Sequence, residues 1–255
     1  MKISVAQLRP AKGDISANIE KHKVLVKLAV SLRVSSVFFP ELSITGYEPE
    51  IAKDLATNQE DKIFDSFQEI SDTDQITIGL GMPIKTDAGI QIGMIVFQPN
   101  ARRQTYSKQQ LHADEFPYFV NGEKQIILNV ENNRIAPAIC YESLQNDHAE
   151  NAGKLGAEIY LASVAKSQNG ISKAYTHYPK IARQYSMPVL MTNSVGYCDN
   201  FLSVGQSAVR SKNGQLLAQL NDMDEGVIVF DTETEEVSIP KESNIANMSQ
   251  NEEHS

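Results

Sequence analysis

The sequence predicts a layered α/β fold built from hairpins and crossover helices. Three observations predict it. Short apolar runs alternate with polar residues or stop abruptly at them, as strands do. Turn signals join some neighbouring runs into hairpins, and amphipathic stretches at helical spacing separate others as crossovers. No internal repeat or low-complexity tract breaks the order.

Lys2 to Leu8 alternates as a strand. Asp14 can then cap a helix whose Ile15, Ile19, Val26 and Ala29 recur at helical spacing. The next apolar run, Val37-Phe38-Phe39, stops at Pro40-Glu41. Phe64 to Ile70 suggests a helix, and Ile76 to Ile84 with Ile90 to Gln98 reads as a hairpin through Thr86-Asp87-Ala88-Gly89. Within it, Gly79-Leu80-Gly81 lacks the third glycine of a nucleotide-binding turn and reads as strand glycines at a close backbone approach. A strand from Arg103 through Tyr106 runs into Lys108.

Residues 109–125 have little periodicity and form a long loop carrying His112, Asp114, Glu115 and an Asn121-Gly122 turn; loops of that length in compact domains are often functional. Ile126 to Val130 and Arg134 to Ile139 pair about Glu131-Asn132-Asn133. Ala149, Ala152 and Leu155 mark a short helix stopped by Gly156. A strand from Glu158 to Ala162, a helix from Tyr175 to Tyr185 and a strand from Pro188 to Asn193 follow. Gly205 to Arg210 and Gln215 to Leu220 make a hairpin about Asn213-Gly214, and Gly226 to Phe230 ends the core.

With 255 residues, 41% of them hydrophobic, and no linker rich in Gly, Pro or Ser, residues 1–230 read as one domain. The acidic, polar stretch 231–255 is expected to be a C-terminal arm, partly disordered. A net charge of −9 without a basic cluster argues against nucleic acid and anionic membrane as partners and for a small molecule. No basic segment leads into a long apolar core, so no membrane span is expected and the cytoplasm is the expected compartment. Two cysteines, Cys140 and Cys198, do not make a disulfide framework. Metal-binding motifs are missing, and neither metal nor cofactor is implied.

The chemistry-bearing residues sit where apolar strands end. Ile135-Ala136-Pro137-Ala138-Ile139 runs into Cys140-Tyr141-Glu142-Ser143. A thiol there is expected to meet the amide end of a following helix, which favours thiolate. Glu41 and Lys108 end two other strands, and groups at strand ends converge readily in layered α/β folds. Singly, each has an ordinary reading: cysteine as a small core residue, the acid and the lysine as solvated charges.

Together, Phe39-Pro40-Glu41 with Thr45-Gly46-Tyr47, Tyr106-Ser107-Lys108 with Leu111, and Ala138-Ile139-Cys140-Tyr141-Glu142 resemble the nitrilase, or carbon–nitrogen hydrolase, superfamily. The resemblance covers roughly positions 1 to 230 and includes Asp114-Glu115-Phe116-Pro117, which places Glu115 at the family's second glutamate. It implies a four-layer α-β-β-α sandwich and a hydrolase of non-peptide carbon–nitrogen bonds, small amides above nitriles or carbamoyl compounds. It also implies a homo-oligomer, most simply a homodimer. In that reading Cys140 is the nucleophile, Glu41 its general base, Lys108 the oxyanion stabiliser with the Tyr141 N–H, and Glu115 the residue that orients Lys108. Tyr47, Tyr118, Phe119, Tyr141 and the loop Ser163-Val164-Ala165-Lys166 are expected to edge the substrate pocket, with Lys166, if turned inward, favouring a substrate carboxylate.

Two competing readings stay open. A papain-like pair would join Cys140 to one of His22, His112, His148, His177 or His254, with His112 the first candidate. Alternatively, the scaffold could be a non-catalytic binding protein.

Overall fold

The computed structural model describes residues 1–240. The chain starts with β1 (Lys2–Gln7) and crosses through α1 (Ile15–Ser31) to β2 (Ser36–Phe38). Asp14 caps α1 as its sequence position predicts, its carboxylate accepting the Ala17 N–H at 3.0 Å. Short α2 (Ala52–Leu55) and longer α3 (Asp65–Asp74) lead to the hairpin β3 (Thr77–Thr86) and β4 (Gly89–Phe97), and then to β5 (Gln104–Ser107). After the long loop come β6 (Leu128–Val130), β7 (Asn133–Ile139), α4 (Asn146–Lys154), β8 (Ile159–Val164), α5 (Gln168–Tyr185) and β9 (Val189–Asn193). The remaining strands are β10 (Val195–Cys198), β11 (Phe201–Val204), β12 (Ala208–Arg210), β13 (Leu216–Gln219), β14 (Gly226–Asp231) and β15 (Val237–Ser238).

Seven strands form one sheet, ordered β15-β14-β1-β2-β3-β4-β5, and six form the other, ordered β13-β12-β9-β8-β7-β6. Crossover helices make the central strands β1, β2 and β3 parallel, and likewise β7, β8 and β9. The inner faces meet in a core that includes Ile3, Val5, Ile92, Met94, Leu161 and Ile228. A second apolar cluster seats α1 and α3 on the seven-stranded sheet, and a third seats α4 and α5 on the six-stranded one. This is the α-β-β-α sandwich. Among the described residues no helix is long and apolar enough to cross a membrane.

Four details differ from expectation. The hairpin β10–β11 lies outside both large sheets and was not foreseen. Helix α5 starts at Gln168, seven residues before Tyr175, because Asn169-Gly170 is helical here instead of a break. Residues 231–240 are not wholly an arm: the chain turns back and β15 pairs with the end of β14. The rest of the expected arm, like His254, lies outside the described residues. Finally, the residue after β7 enters a 3-10 turn (Glu142–Leu144) before α4, so Cys140 does not sit at an α-helix N-terminus.

Gly81 shows how tightly the site's foundation is packed. A Cβ there would lie 2.2 Å from Pro40 O and 2.4 Å from Leu42 N, so β3 passes directly beneath the turn carrying Glu41. The close approach read from Gly79-Leu80-Gly81 has this cause. Gly81→Ala is expected to destabilise the fold by about 1–3 kcal/mol and to lower activity by displacing Glu41. Chemical denaturation and ammonia release would check it; unchanged values for both would mean the turn yields freely.

Candidate active site

Three strand ends from two sheets deliver the site. Glu41 follows β2 in a tight turn, with Leu42 at φ +50° and Ser43 N donating to Pro40 O. Lys108 follows β5, its backbone held on both sides: its N–H donates to Ile92 O at 2.8 Å and its O accepts from Gly122 N at 2.7 Å. Cys140 follows β7 at φ +47°, a left-handed conformation costly for a residue with a Cβ. Its N–H still bonds Ser163 O at 3.0 Å, and the 3-10 turn closes with Ser143 N donating to Cys140 O. The Tyr141 N–H takes no part in these turn bonds. The seam between the sheets is pinned nearby, where Ser163 Oγ donates to Phe39 O at 2.8 Å.

The side chains converge. Lys108 is fully buried, and its Nζ lies 2.8 Å from Glu41 Oε1 and 2.6 Å from Glu115 Oε1. Burial opposes its charge, yet the two carboxylates outweigh burial and hold the ammonium well above the usual lysine range. Tyr47 donates to Glu115 Oε1 at 2.9 Å and the His112 N–H to Glu115 Oε2 at 2.7 Å, so Glu115 is fixed at both oxygens. Glu41 Oε2 differs: it is buried and has no hydrogen-bond partner among the described residues. Desolvation raises the Glu41 carboxyl above its ordinary value despite the lysine, which makes it a better base than a solvated glutamate.

Cys140 interacts electrostatically with Glu41, Lys108, Lys166 and Glu115. Its Sγ donates to Ala165 O at 3.7 Å and receives Lys166 Nζ at 3.6 Å. Desolvation, then Glu41, pushes the thiol up to about 11, so the expected resting thiolate is replaced by a thiol that needs a base. Iodoacetamide labelling of Cys140 is therefore expected to keep accelerating beyond the ordinary thiol pKa of about 8.5. A plateau below that pH would contradict it.

Sequence reasoning did not single out Glu142, although it stands in the Cys140 motif. Its fully buried carboxylate accepts from Ile139 N at 2.7 Å and Tyr106 Oη at 2.6 Å through one oxygen, and from Gln109 N at 2.7 Å through the other. It therefore ties the segment after Lys108 to the elbow at Cys140. Burial raises it to about 7 against these donors.

A cavity of about 860 Å³ opens over Cys140, lined also by Tyr47, Glu115, Tyr141, Lys166 and the α5 residues Lys173 and His177. Tyr118, expected at its edge, is not in the lining: it is 41% exposed on the surface, while Phe119 packs into the core between the sheets. The loop turns at Asp114–Phe119, with Tyr118 N and Phe119 N donating to Glu115 O, and it is Glu115 that faces inward. None of the described histidines hydrogen-bonds to Cys140. His112 pairs with Asp114 at the rim, His148 with Tyr106 and Tyr160, and His22 with Ser43. Among the described residues no cluster of three His, Cys, Asp or Glu is arranged to hold a metal ion.

Comparison with known proteins points the same way. Residues 2–238 match the family described as carbon–nitrogen hydrolase. The chain is 23% identical over 229 residues to the glutamine-dependent NAD(+) synthetase of Acinetobacter baylyi, covering 86% of this chain but 41% of that protein. It is also 23% identical over 250 residues to the "hydrolase in agr operon" of Staphylococcus aureus, covering 95% of both. The NitN amidase from Nesterenkonia sp. AN1 superposes with a TM-score of 0.82 at 20% identity, over 98% of this chain and 99% of that one.

Proposed function

The chain belongs to the carbon–nitrogen hydrolase family, and on that premise we propose that it hydrolyses a small amide through a thioester on Cys140. The observation that carries this reading is the Lys108 ammonium clamped between Glu41 and Glu115 beside Cys140, with one Glu41 oxygen left unpartnered. That oxygen can take the thiol proton as Sγ bonds to the amide carbon. The resulting oxyanion is met by Lys108 Nζ and the Tyr141 N–H. Glu41 returns the proton to the nitrogen as the C–N bond breaks, and ammonia leaves. Water, deprotonated by Glu41, then attacks the thioester, releasing the acid and restoring the thiol. Glu115 holds Lys108 in place and is itself held by Tyr47.

Amide rather than nitrile is supported by two comparisons. The structural neighbour is an amidase, and one of its variants carries the acetamide moiety of fluoroacetamide on the active-site cysteine. The curated relatives headed by the Acinetobacter baylyi protein use glutamine, by their names; this chain spans 41% of the length of that one. The test is ammonia release from a panel of small amides, carbamoyl amino acids and nitriles. Turnover of amides with nitriles inert supports the reading, and the reverse pattern overturns it.

A further inference from the structure

We propose that Lys166, supported by Lys173 and Lys180, forms a carboxylate-binding subsite beside Cys140, so that the substrate is a short amide carrying a carboxylate group. The inference deepens the amide-hydrolase reading and rests on it for the reaction.

Lys166 is built into place. Its N–H donates to Asn193 Oδ1 at 2.8 Å, and its O accepts from Val204 N at 3.1 Å, Asn193 Nδ2 at 3.2 Å and Ser203 Oγ at 3.2 Å. Its stem lies against Gly170, where a Cβ would approach Lys166 Cβ at 3.1 Å. The residue is 5% exposed, and Nζ reaches Cys140 O at 3.3 Å and Cys140 Sγ at 3.6 Å. An ammonium has three donors, and the third has no protein acceptor among the described residues. No carboxylate of the described residues lies within salt-bridge distance of it, whereas Lys108 has two. A nearly buried ammonium without a contacting anion is costly, and an anion arriving with the substrate stabilises it.

Within the buried cluster Lys108 and Lys166 balance Glu41 and Glu115 in charge, so net charge alone does not demand a further anion. Position does. Lys108 is enclosed by both carboxylates, whereas Lys166 lines the open cavity. There Lys173 and Lys180 add to it from one stripe of α5, at i and i+7, with His177 between them at i+4, where burial and the neighbouring lysines disfavour its charged form. Lys173 and Lys180 have no ion pair among the described residues, and His177 Nε2 is buried without a partner. Asp114, the acid at the rim, is engaged by His112. In a chain of net charge −9 this is a local positive wall, which concentrates anions at the site.

Alkylation of Cys140 by iodoacetate and by iodoacetamide tests the subsite, because the two reagents differ mainly in charge. Rates are read by mass spectrometry of the Cys140 peptide and compared with glutathione as a free thiol. In the wild type the iodoacetate-to-iodoacetamide ratio is expected to exceed that of glutathione by about tenfold, to fall with added salt, and to drop toward the glutathione value in Lys166→Gln. A Lys173→Gln/Lys180→Gln double variant is expected to lower it about threefold. A wild-type ratio equal to glutathione's overturns the proposal without requiring any variant to fold. So does an equal slowing of both reagents in Lys166→Gln, since Lys166 would then serve the thiolate alone. Ammonia release from succinamate and butyramide separates the two claims. Butyramide turned over faster than succinamate overturns the subsite and leaves the amide reading standing. If no amide of the panel yields ammonia, the amide reading fails and the alkylation ratio still decides the subsite.

Discussion

Replacing Lys108 with Met is expected to lower kcat by about two to three orders of magnitude, the usual cost of losing one preorganised oxyanion donor. It should also destabilise the fold by about 3–5 kcal/mol, because it leaves two buried carboxylates facing each other without the cation they share. The stability loss has a predicted pH dependence. Burial already raises Glu41, and removing the lysine raises it further. A carboxyl whose folded pKa lies above its unfolded value favours folding at low pH and loses that contribution as pH rises through the folded value. The deficit of Lys108→Met should therefore be largest near pH 8 and shrink toward pH 5. Urea unfolding of both proteins at the two pH values measures it. Equal deficits, or a kcat within tenfold of wild type, would contradict the placement of Lys108 between the two acids.

Cys140→Ala is expected to abolish ammonia release, by about four orders of magnitude or more, with little change in Tm. The side chain lines the cavity and packs only partly against the core, and alanine adopts the same positive φ at a cost similar to cysteine's. Separate substitutions then distinguish the proton acceptor. Glu41→Gln should be nearly as damaging as Cys140→Ala, whereas His112→Ala should retain most activity, since that ring sits at the rim against Asp114 and Tyr141. The opposite ranking would favour a cysteine–histidine pair.

The strand ends at Glu41 and Cys140 were legible because their apolar runs are buried on both faces and stop at polar residues, and the one at Lys108 because a β-favouring, half-buried run ends there. Convergence was not, since it depends on two sheets packing face to face, which no local pattern encodes. The hairpin β10–β11 escaped notice for a related reason. It exposes Tyr197 and Leu202 while burying Ser203, so its polarity runs against the usual alternation. The cationic stripe on α5 was hidden because a helix beginning at Tyr175 leaves Lys173 outside it, and the spacing from Lys173 to Lys180 appears only when the helix starts at Gln168. The resting charge of Cys140 was misjudged because the sequence could not separate an α-helix N-terminus from a 3-10 turn, nor show how many buried acids surround the sulfur. Tyr118, expected at the pocket's edge, is exposed because the turn there sends its side chain away from the buried Glu115.

The account stands on covalent chemistry at one sulfur. The most direct test is mass spectrometry of the wild-type protein quenched by acid during turnover of an amide it hydrolyses. The account predicts an added acyl mass on the peptide containing Cys140, removed by hydroxylamine as a thioester should be and absent from Cys140→Ala. An acyl mass on another residue, or ammonia release by Cys140→Ala at the wild-type rate, would contradict it.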